Sequence, residues 1–308
     1  MPPLKQLIGG ELAWRQHEGG HDVTPNWPAF FEWVGNYIKS PGLRPASAAV
    51  PGDHAVPADQ PAPRTDSNSQ IAHSQLLEKA RKGGIDVYFE GDSITRRWGA
   101  SDDQYKSFLD NWRQNFWGWN AADFGWGGDT TQNILWRLNN GELDNVNPKI
   151  IVLLAGTNNV GHRDPQSTTM GAEDPRVADI TRGIRAILDV LRQKAPDATI
   201  VLVGITPRND NMAVMPIIDL INVNIAKFAD GNKIKYLNIN DQLAGKDGRL
   251  FDGMTVRDGL HLDLKGYQVW ADALKPIFTE LLGPPAKQDH APPPTGDPSA
   301  SKPSPQSH

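Results

Sequence analysis

The sequence predicts an α/β fold in which a central five-stranded parallel sheet is covered by helices on both faces. Five short runs are almost continuously apolar, as strands buried on both faces are. They lie at residues 85–90, 120–125, 149–155, 199–205 and 234–239. Amphipathic stretches separate them, and such strand–helix alternation is typical of a parallel sheet between two helical layers. In this kind of fold, functional groups gather outside the carboxyl ends of the strands.

Six amphipathic stretches supply the helices that this fold needs. Their apolar residues recur with the spacing of one helix face. They lie at about residues 70–82, 102–115, 129–139, 174–194, 214–229 and 263–282. Asp263 can cap the last of them, because an aspartate side chain accepts from the first free N–H groups of a helix.

Proline-rich segments divide the 308-residue chain into four predicted parts. Residues 68–283 have the length of one domain. Residues 41–67 are rich in Pro and Ala without a regular period and predict an extended linker, and residues 284–308 predict a disordered tail. Residues 1–40 carry several Trp and Phe residues. We expect them to form a flap on the main domain or a fragment of a preceding segment, with an aromatic binding face as the alternative.

Composition excludes several classes of function. The chain has no cysteine, which rules out disulfides, thiolate catalysis and cysteine-held metals. Its net charge is −5, with no dense basic block, so a nucleic-acid partner is not expected. No apolar run approaches the roughly 20 residues that span a bilayer. The N-terminus lacks the pattern of a signal peptide. If a leader has been removed from the protein, a secreted or periplasmic location is favoured. Otherwise a cytoplasmic location is expected.

The first predicted strand ends in Gly91, Asp92 and Ser93, ahead of a helix. A serine hydroxyl is a poor nucleophile at neutral pH unless a base accepts its proton. Asp258 and His261, on a predicted loop before the last helix, can supply that base. At a separation of three, a turn can place the carboxylate against one ring nitrogen of His261 and leave the other nitrogen for Ser93. The order Ser, Asp, His therefore predicts a catalytic triad.

The next two predicted strands end in polar clusters that complete this site. Gly128 lies in "GWGGD", and Asn158 lies in "AGTNN". The backbone N–H groups of Ser93 and Gly128 and the amide of Asn158 can donate to an oxygen that becomes negatively charged. Removing one such donor typically costs about 10² to 10³ in turnover. Each motif alone is a weak signal, but their order places all of them at one edge of the sheet.

With these residues, the chain resembles the SGNH/GDSL hydrolase superfamily. Its marker residues and triad acid correspond to Ser93, Gly128, Asn158, His261 and Asp258. The segments "GDSITRRW" and "DGLHLDLKGY" are particularly similar to the catalytic subunits of intracellular platelet-activating-factor acetylhydrolases and their bacterial relatives. The resemblance covers roughly residues 70–283. It implies a three-layer, flavodoxin-like α/β/α sandwich, a shallow cleft, a covalent acyl-enzyme and no metal or organic cofactor. The absence of a G-x-S-x-G elbow argues against the α/β-hydrolase fold.

The resemblance also implies a substrate class, which is a short-chain acyl ester of a small molecule or carbohydrate. Acetylated carbohydrate such as acetylxylan is favoured, and a lipid or platelet-activating-factor-like acetyl ester is the alternative. Acyl transfer to an acceptor other than water and a homodimer are left open. Asp92, Trp126, Asn159 and His162 are candidate substrate contacts.

Two rival interpretations come from the N-terminal segment. His17 to His21 fit the zinc motif H-E-x-x-H, which requires both histidines on one helix face. The two glycines inside the motif cost roughly 1 kcal/mol each in a helix, and Pro25 follows, so a zinc site is not expected. The second rival is a non-catalytic carbohydrate-binding or scaffold protein that uses the Trp-rich segment for contact. The intact set of five site residues argues against it.

Overall fold

A computed structural model of the chain describes residues 56–161 and 171–301, together with the backbone of two short strands near the N-terminus. The chain divides into two units, residues 1–54 and 55–308. In the first unit, β1 (Leu7–Ile8) pairs antiparallel with β2 (Trp14–Arg15). The H-E-x-x-H motif and the predicted Trp-rich flap otherwise lie outside the described residues.

The second unit contains the five-stranded parallel sheet that the sequence predicts. Its strands are β3 (Val87–Gly91), β4 (Ala121–Asp123), β5 (Ile150–Leu154), β6 (Thr199–Val203) and β7 (Ile234–Leu237). They lie in the order β4-β3-β5-β6-β7, and every neighbouring pair is parallel. Because β3 lies between β4 and β5, the segments that follow these three strands meet at one edge of the sheet.

Helices cover both faces of this sheet, so the predicted three-layer α/β/α fold is confirmed. Six helices correspond to the predicted stretches: α1 (Ser67–Lys82), α3 (Lys106–Phe116), α4 (Thr131–Arg137), α6 (Pro175–Lys194), α7 (Met215–Ala226) and α9 (Leu264–Leu282). Three short helices lie between them: α2 (Ser93–Gly99), α5 (Thr157–Val160) and α8 (Asn240–Leu243). All six predicted helices are present. No helix in the part of the chain that the structure describes is long and apolar enough to cross a membrane.

Alternate residues of the strands face two separate hydrophobic cores. On β3, Tyr88 belongs to the core formed with helices α1, α4, α6 and α7, whereas Val87 and Phe89 belong to the core formed with α2, α3 and α9. Successive strand residues point to opposite faces, so a strand covered on both sides must be apolar throughout. This explains why the strands were visible in the sequence as continuous apolar runs.

Aromatic packing fixes helix α2 against helix α9. Trp98 of α2 is stacked on Tyr267 of α9, with ring centroids 4.9 Å apart, and meets Phe89 edge-on. The Tyr267 hydroxyl donates to the carbonyl of Ile94 at 2.7 Å. α2 begins at Ser93, and α9 follows the loop that carries the predicted base, His261. This packing therefore fixes the position of Ser93 relative to that loop.

Residues 284–301 pack on the domain, so the prediction of a disordered tail is wrong for this part of the chain. The Ala286 N–H donates to the carbonyl of Gly118 at 2.9 Å. The Asp289 carboxylate accepts from the N–H groups of Gly118 and Asn120 at 2.7 and 3.3 Å. Proline restricts the unbound chain as well as the bound one, and this lowers the entropy lost when such a segment docks. A Pro-rich composition therefore does not by itself predict disorder.

Residues 56–66, which were predicted to belong to a linker, also pack on the domain. We call them the N-terminal strap. Ala58 is fully buried, and its carbonyl accepts from the Thr131 hydroxyl at 2.8 Å. The Ala62 N–H donates to the carbonyl of Gln132 at 3.0 Å. The strap thus lies across the beginning of α4.

Candidate active site

Ser93, His261 and Asp258 form one chain of hydrogen bonds beyond the carboxyl end of β3. The Ser93 Oγ lies 2.8 Å from Nε2 of His261, and Nδ1 of His261 lies 2.7 Å from Oδ2 of Asp258. The other carboxylate oxygen of Asp258 accepts from the N–H groups of Leu260 and His261, each at 2.9 Å. The tight loop before α9 therefore orients the carboxylate, and the carboxylate orients the imidazole.

The turn after β3 presents Ser93 at the beginning of a helix. The Asp92 carboxylate caps α2 by accepting from the Ile94 N–H at 2.9 Å. Gly91 is required by its surroundings, because a Cβ there would lie 2.2 Å from Oγ1 of Thr95 and 2.5 Å from the carbonyl oxygen of Leu154. A larger residue would displace the turn that aims the serine.

Gly128 lies in a tight turn beside Ser93. The Asp129 N–H donates to the carbonyl of Trp126 at 3.3 Å, and Gly128 has a φ of +78°, which is the value a type II turn requires at its third residue. The Trp126 N–H donates to the carbonyl of Gly91 at 3.1 Å and so holds this turn against the serine turn. Gly128 is exposed, and no acceptor within the described residues takes its N–H.

Asn158 follows the third of these strand ends. Its Nδ2 donates to the carbonyl of Asp129 at 2.8 Å, which connects the start of α5 to the Gly128 turn. A side-chain amide has two N–H donors, so one remains for a ligand. Gly156, before it, has a φ of +116°, and a Cβ there would lie 2.8 Å from Ile205. The structure thus brings the loops of Ser93, Gly128 and Asn158 together.

Comparison with protein families agrees with this arrangement. The family described as GDSL-like Lipase/Acylhydrolase matches residues 89–269, a range that contains Ser93, Asp258 and His261. The chain belongs to this family. It is therefore a carboxylic ester hydrolase, as the sequence predicts.

Individual relatives of this GDSL acylhydrolase are acetylhydrolases. Platelet-activating factor acetylhydrolase IB subunit alpha1 of Bos taurus is 30% identical over 251 residues, covering 79% of this chain and 97% of that protein. The Homo sapiens protein of the same name is 29% identical over 235 residues, covering 73% of this chain and 91% of that protein. A solved GDSL-like lipase from Bacteroides thetaiotaomicron shares the fold, with a TM-score of 0.52 at 19% identity over 69% of this chain and 98% of that one. The resemblance inferred from the sequence is confirmed.

The charges around His261 favour its neutral form. Partial burial lowers the pKa of His261 below its ordinary value of 6.5, and the guanidinium of Arg97 lowers it further, while Asp258 opposes both. For Asp258, partial burial opposes ionisation, but hydrogen bonds from the His261 and Leu260 N–H groups and from the imidazole outweigh it and lower the pKa to about 2. At neutral pH the site therefore contains a carboxylate and an unprotonated imidazole.

A buried arginine connects the serine turn to the Gly128 turn from beneath. Arg137 donates to the carboxylates of Glu90 and Asp129, each at 2.7 Å, and also to Glu142. Glu90 is the residue before Gly91, and Asp129 directly follows Gly128 in the chain. All four charged side chains are nearly or fully buried.

This buried network contains more negative than positive charge. Burial raises the pKa of Glu90 to about 8, although Arg137 opposes the shift, and burial raises the pKa of Asp129 to about 6. Three carboxyl groups thus surround one guanidinium. The raised pKa of Glu90 favours its protonated form, which relieves the repulsion.

Two of the predicted substrate contacts need correction. Asp92 is fully buried and Trp126 is 8% exposed, so neither side chain forms the cleft surface. Asp92 is instead the helix cap, and the Trp126 indole N–H donates to Oγ of Ser69 on α1 at 2.8 Å. The prediction was wrong for these two residues because the sequence does not show which way a side chain beside the site points.

Of the other two predicted substrate contacts, the structure describes only Asn159. The Asn159 side chain accepts from the Thr131 N–H at 2.9 Å and donates to Gln132 at 2.8 Å, so it holds the start of α4. Its contact with substrate stays a prediction. His162 lies outside the described residues.

Three arginines close to the site were missed as site residues. Arg97 lies 3.5 Å from the Asp258 carboxylate. Its position four residues after Ser93 was an available signal, since residues four apart share a helix face. Arg208 is buried and donates to the carbonyl of Thr157 at 3.0 Å. Arg64 comes from the strap, where the Pro-rich composition gave no signal.

Proposed function

We propose that this GDSL acylhydrolase hydrolyses acetyl esters through an acyl-enzyme on Ser93. The observation that carries the proposal is the continuous chain of hydrogen bonds from Ser93 through His261 to Asp258, with lengths of 2.8 and 2.7 Å. In the acylation step, Oγ of Ser93 attacks the ester carbonyl carbon while Nε2 of His261 takes the hydroxyl proton. Asp258 stabilises the imidazolium that results.

The negative charge then lies on the former carbonyl oxygen. The N–H groups of Ser93 and Gly128 and the amide of Asn158 are the proposed donors to it. The intermediate collapses, the imidazolium of His261 gives its proton to the departing alkoxide, and the alcohol leaves. A water molecule, deprotonated by His261, attacks the acyl-enzyme in the same manner and releases acetate and free Ser93.

The acetyl group is supported by the name that the curated relatives carry. For the alcohol half we propose acetylated carbohydrate, such as acetylxylan, on the family resemblance alone. An acetyl ester of the platelet-activating-factor type is the second candidate, and the relatives' name favours it. Acyl transfer to a sugar acceptor and a homodimer remain predictions.

The proposal is tested with a series of p-nitrophenyl esters of increasing chain length, followed by acetylxylan and an acetylated ether phospholipid. We expect acetate to give the highest kcat/KM among the p-nitrophenyl esters. Ser93→Ala should abolish turnover, whereas Ser74→Ala, a change at an exposed serine of α1, should leave it intact. Equal rates for wild type and Ser93→Ala would contradict the proposal.

A further inference from the structure

We propose that Arg64 of the N-terminal strap is a positioning residue that holds the Gly127–Gly128 peptide in the orientation needed for oxyanion binding. The inference rests on the proposed function, because it concerns the Gly128 N–H as an oxyanion donor. Arg64 lies outside residues 89–269, the range that the family model matches. It is therefore a contribution of this chain's own strap to the site.

The Arg64 guanidinium lies along the Gly128 turn. Its Nη1 donates to the carbonyl of Gly127 at 3.0 Å and is 3.5 Å from the Asp129 carboxylate. The same nitrogen would lie 3.0 Å from a Cβ built on Gly128. The arginine therefore contacts the turn at its carbonyl, at its glycine and at its closing residue.

The carbonyl that Arg64 binds and the N–H proposed as oxyanion donor belong to one peptide unit. In a planar trans peptide, the C=O and the N–H point in opposite directions. Holding the Gly127 carbonyl toward Arg64 consequently turns the Gly128 N–H to the other side. There, no acceptor among the described residues engages it, so it is free for a ligand. A cationic donor on the carbonyl also polarises the peptide, which makes its N–H a stronger donor.

The turn needs such a clamp because its backbone permits two orientations. Type I and type II turns differ in the direction of the central peptide, and type II requires a positive φ at the third residue. With glycine at both central positions, either orientation is accessible to the chain. The Arg64 hydrogen bond favours the type II form that is observed. A flip to type I would point the Gly128 N–H away from the substrate carbonyl.

Arg64 is itself held in place by the strap. Its Nε donates to the Asp66 carboxylate at 3.2 Å, and Asp66 caps α1 by accepting from the Ser69 N–H at 2.9 Å. The Arg64 side chain is 32% exposed. Replacing Arg137 would leave buried charges unpaired, but replacing the partly exposed Arg64 does not. The Arg64 variants are therefore expected to fold.

The test compares Arg64→Met and Arg64→Lys with wild type on p-nitrophenyl acetate. We expect kcat/KM to fall by about 10- to 100-fold in Arg64→Met, which is less than the loss on deleting a donor, because a flipping peptide still supplies it part of the time. Arg64→Lys, which keeps a cationic donor, should recover most of the activity. Arg182→Met is the matched control: Arg182 pairs with strap residue Asp59 at 3.7 Å and with Asp179 on α6, so its loss loosens the strap without touching the turn.

A second measurement separates oxyanion positioning from a general loss of structure. A trifluoromethyl ketone forms a hemiketal with the serine whose oxyanion needs the same donors as the transition state. Its Ki should rise in Arg64→Met by the same factor by which kcat/KM falls, with the melting temperature unchanged. Wild-type kcat/KM in Arg64→Met, or a lowered kcat/KM with an unchanged Ki, would overturn the inference. Activity persisting in Ser93→Ala would instead remove the proposed function itself.

Discussion

Arg97 and Asp258 are in contact, with Nη1 of the arginine 3.5 Å from Oδ2 of the carboxylate that orients the His261 imidazole. Both side chains are partly exposed, so solvent weakens the pair, and its contribution to stability is expected to be small. Its effect on the imidazole is more important. A fixed positive charge near His261 opposes protonation of the ring and keeps the proposed base in its active form.

The acid limb of the pH profile should reflect this charge. Because burial and Arg97 lower the pKa of His261, kcat/KM should fall with decreasing pH at a midpoint below 6.5. In Arg97→Gln the midpoint should rise, since one source of repulsion is lost while Asp258 still favours the imidazolium and Arg208 still opposes it. The measurement is kcat/KM on p-nitrophenyl acetate from pH 4.5 to 8.5, which covers the pH range in which a histidine titrates. Arg113→Gln, at an exposed arginine of α3, is the control, and identical midpoints in Arg97→Gln and wild type would contradict this account.

Asp258 should matter for turnover more than for folding. In Asp258→Asn the imidazolium loses its stabilising charge. Because the Leu260 and His261 N–H groups hold the side-chain oxygen, the amide NH₂ faces Nδ1, and the ring loses the acceptor for Nδ1–H. We expect kcat to fall by about 10² to 10⁴. The Asp258 side chain is 42% exposed, so the melting temperature should change little. A variant that keeps more than half of the wild-type kcat would remove Asp258 from the proposed triad.

The buried Glu90 should make stability depend on pH. Its pKa is raised from 4.5 to about 8 in the folded chain, so between these values the folded state binds a proton that the unfolded state has released. The stability that the Glu90 proton contributes is therefore present in full below pH 4.5 and is lost as the pH rises toward 8. One such proton corresponds to a slope of at most about 1.4 kcal/mol per pH unit.

Glu90→Gln should remove this contribution, because glutamine is neutral at every pH and can still accept from Arg137. Urea unfolding at pH 5, 6.5 and 8 should show the variant gaining stability relative to wild type as the pH rises. Asp92, Asp123 and Asp129 also have raised pKa values, so a residual slope is expected in the variant. Glu78→Gln, at an exposed position of α1, should keep the wild-type slope. Parallel stability curves for wild type and Glu90→Gln would rule out the role assigned to this proton.

The sheet and the triad could be predicted because local patterns encode them. A strand buried on both faces must be apolar throughout, and a separation of three residues places Asp258 beside His261 in a tight turn. Strand ends were less accurate. The strand predicted at residues 120–125 extends only over Ala121–Asp123, because Asn120 has a φ of +50° and the Asp123 carboxylate accepts from the Gly125 N–H, which turns the chain.

The strap and the tail could not be predicted because their contacts are with distant parts of the chain. Arg64 and Gly127 are separated by 63 positions, and Asp289 and Gly118 by 171. Proline-rich segments have no hydrophobic period that would indicate the face they bury. Many of their hydrogen bonds use backbone N–H and C=O groups, which every sequence contains, so the composition shows neither that they dock nor where.

Asp289 should contribute to stability without affecting catalysis. Its carboxylate accepts from the N–H groups of Gly118 and Asn120, which precede β4 and so lie at the amino end of the sheet, opposite Ser93. In Asp289→Ala both N–H groups lose a charged acceptor. The free energy of unfolding should fall by about 1.5 to 3 kcal/mol, which is the range for one hydrogen bond to a charged group. The loss is not twice as large, because water can reach the exposed end of the tail and partly replace the second hydrogen bond. Urea unfolding measures this loss, and Asp252→Ala, at an exposed aspartate, is the control. We expect kcat/KM on p-nitrophenyl acetate to be the same in both variants as in wild type; unchanged stability in Asp289→Ala would mean that the tail contributes nothing through this residue.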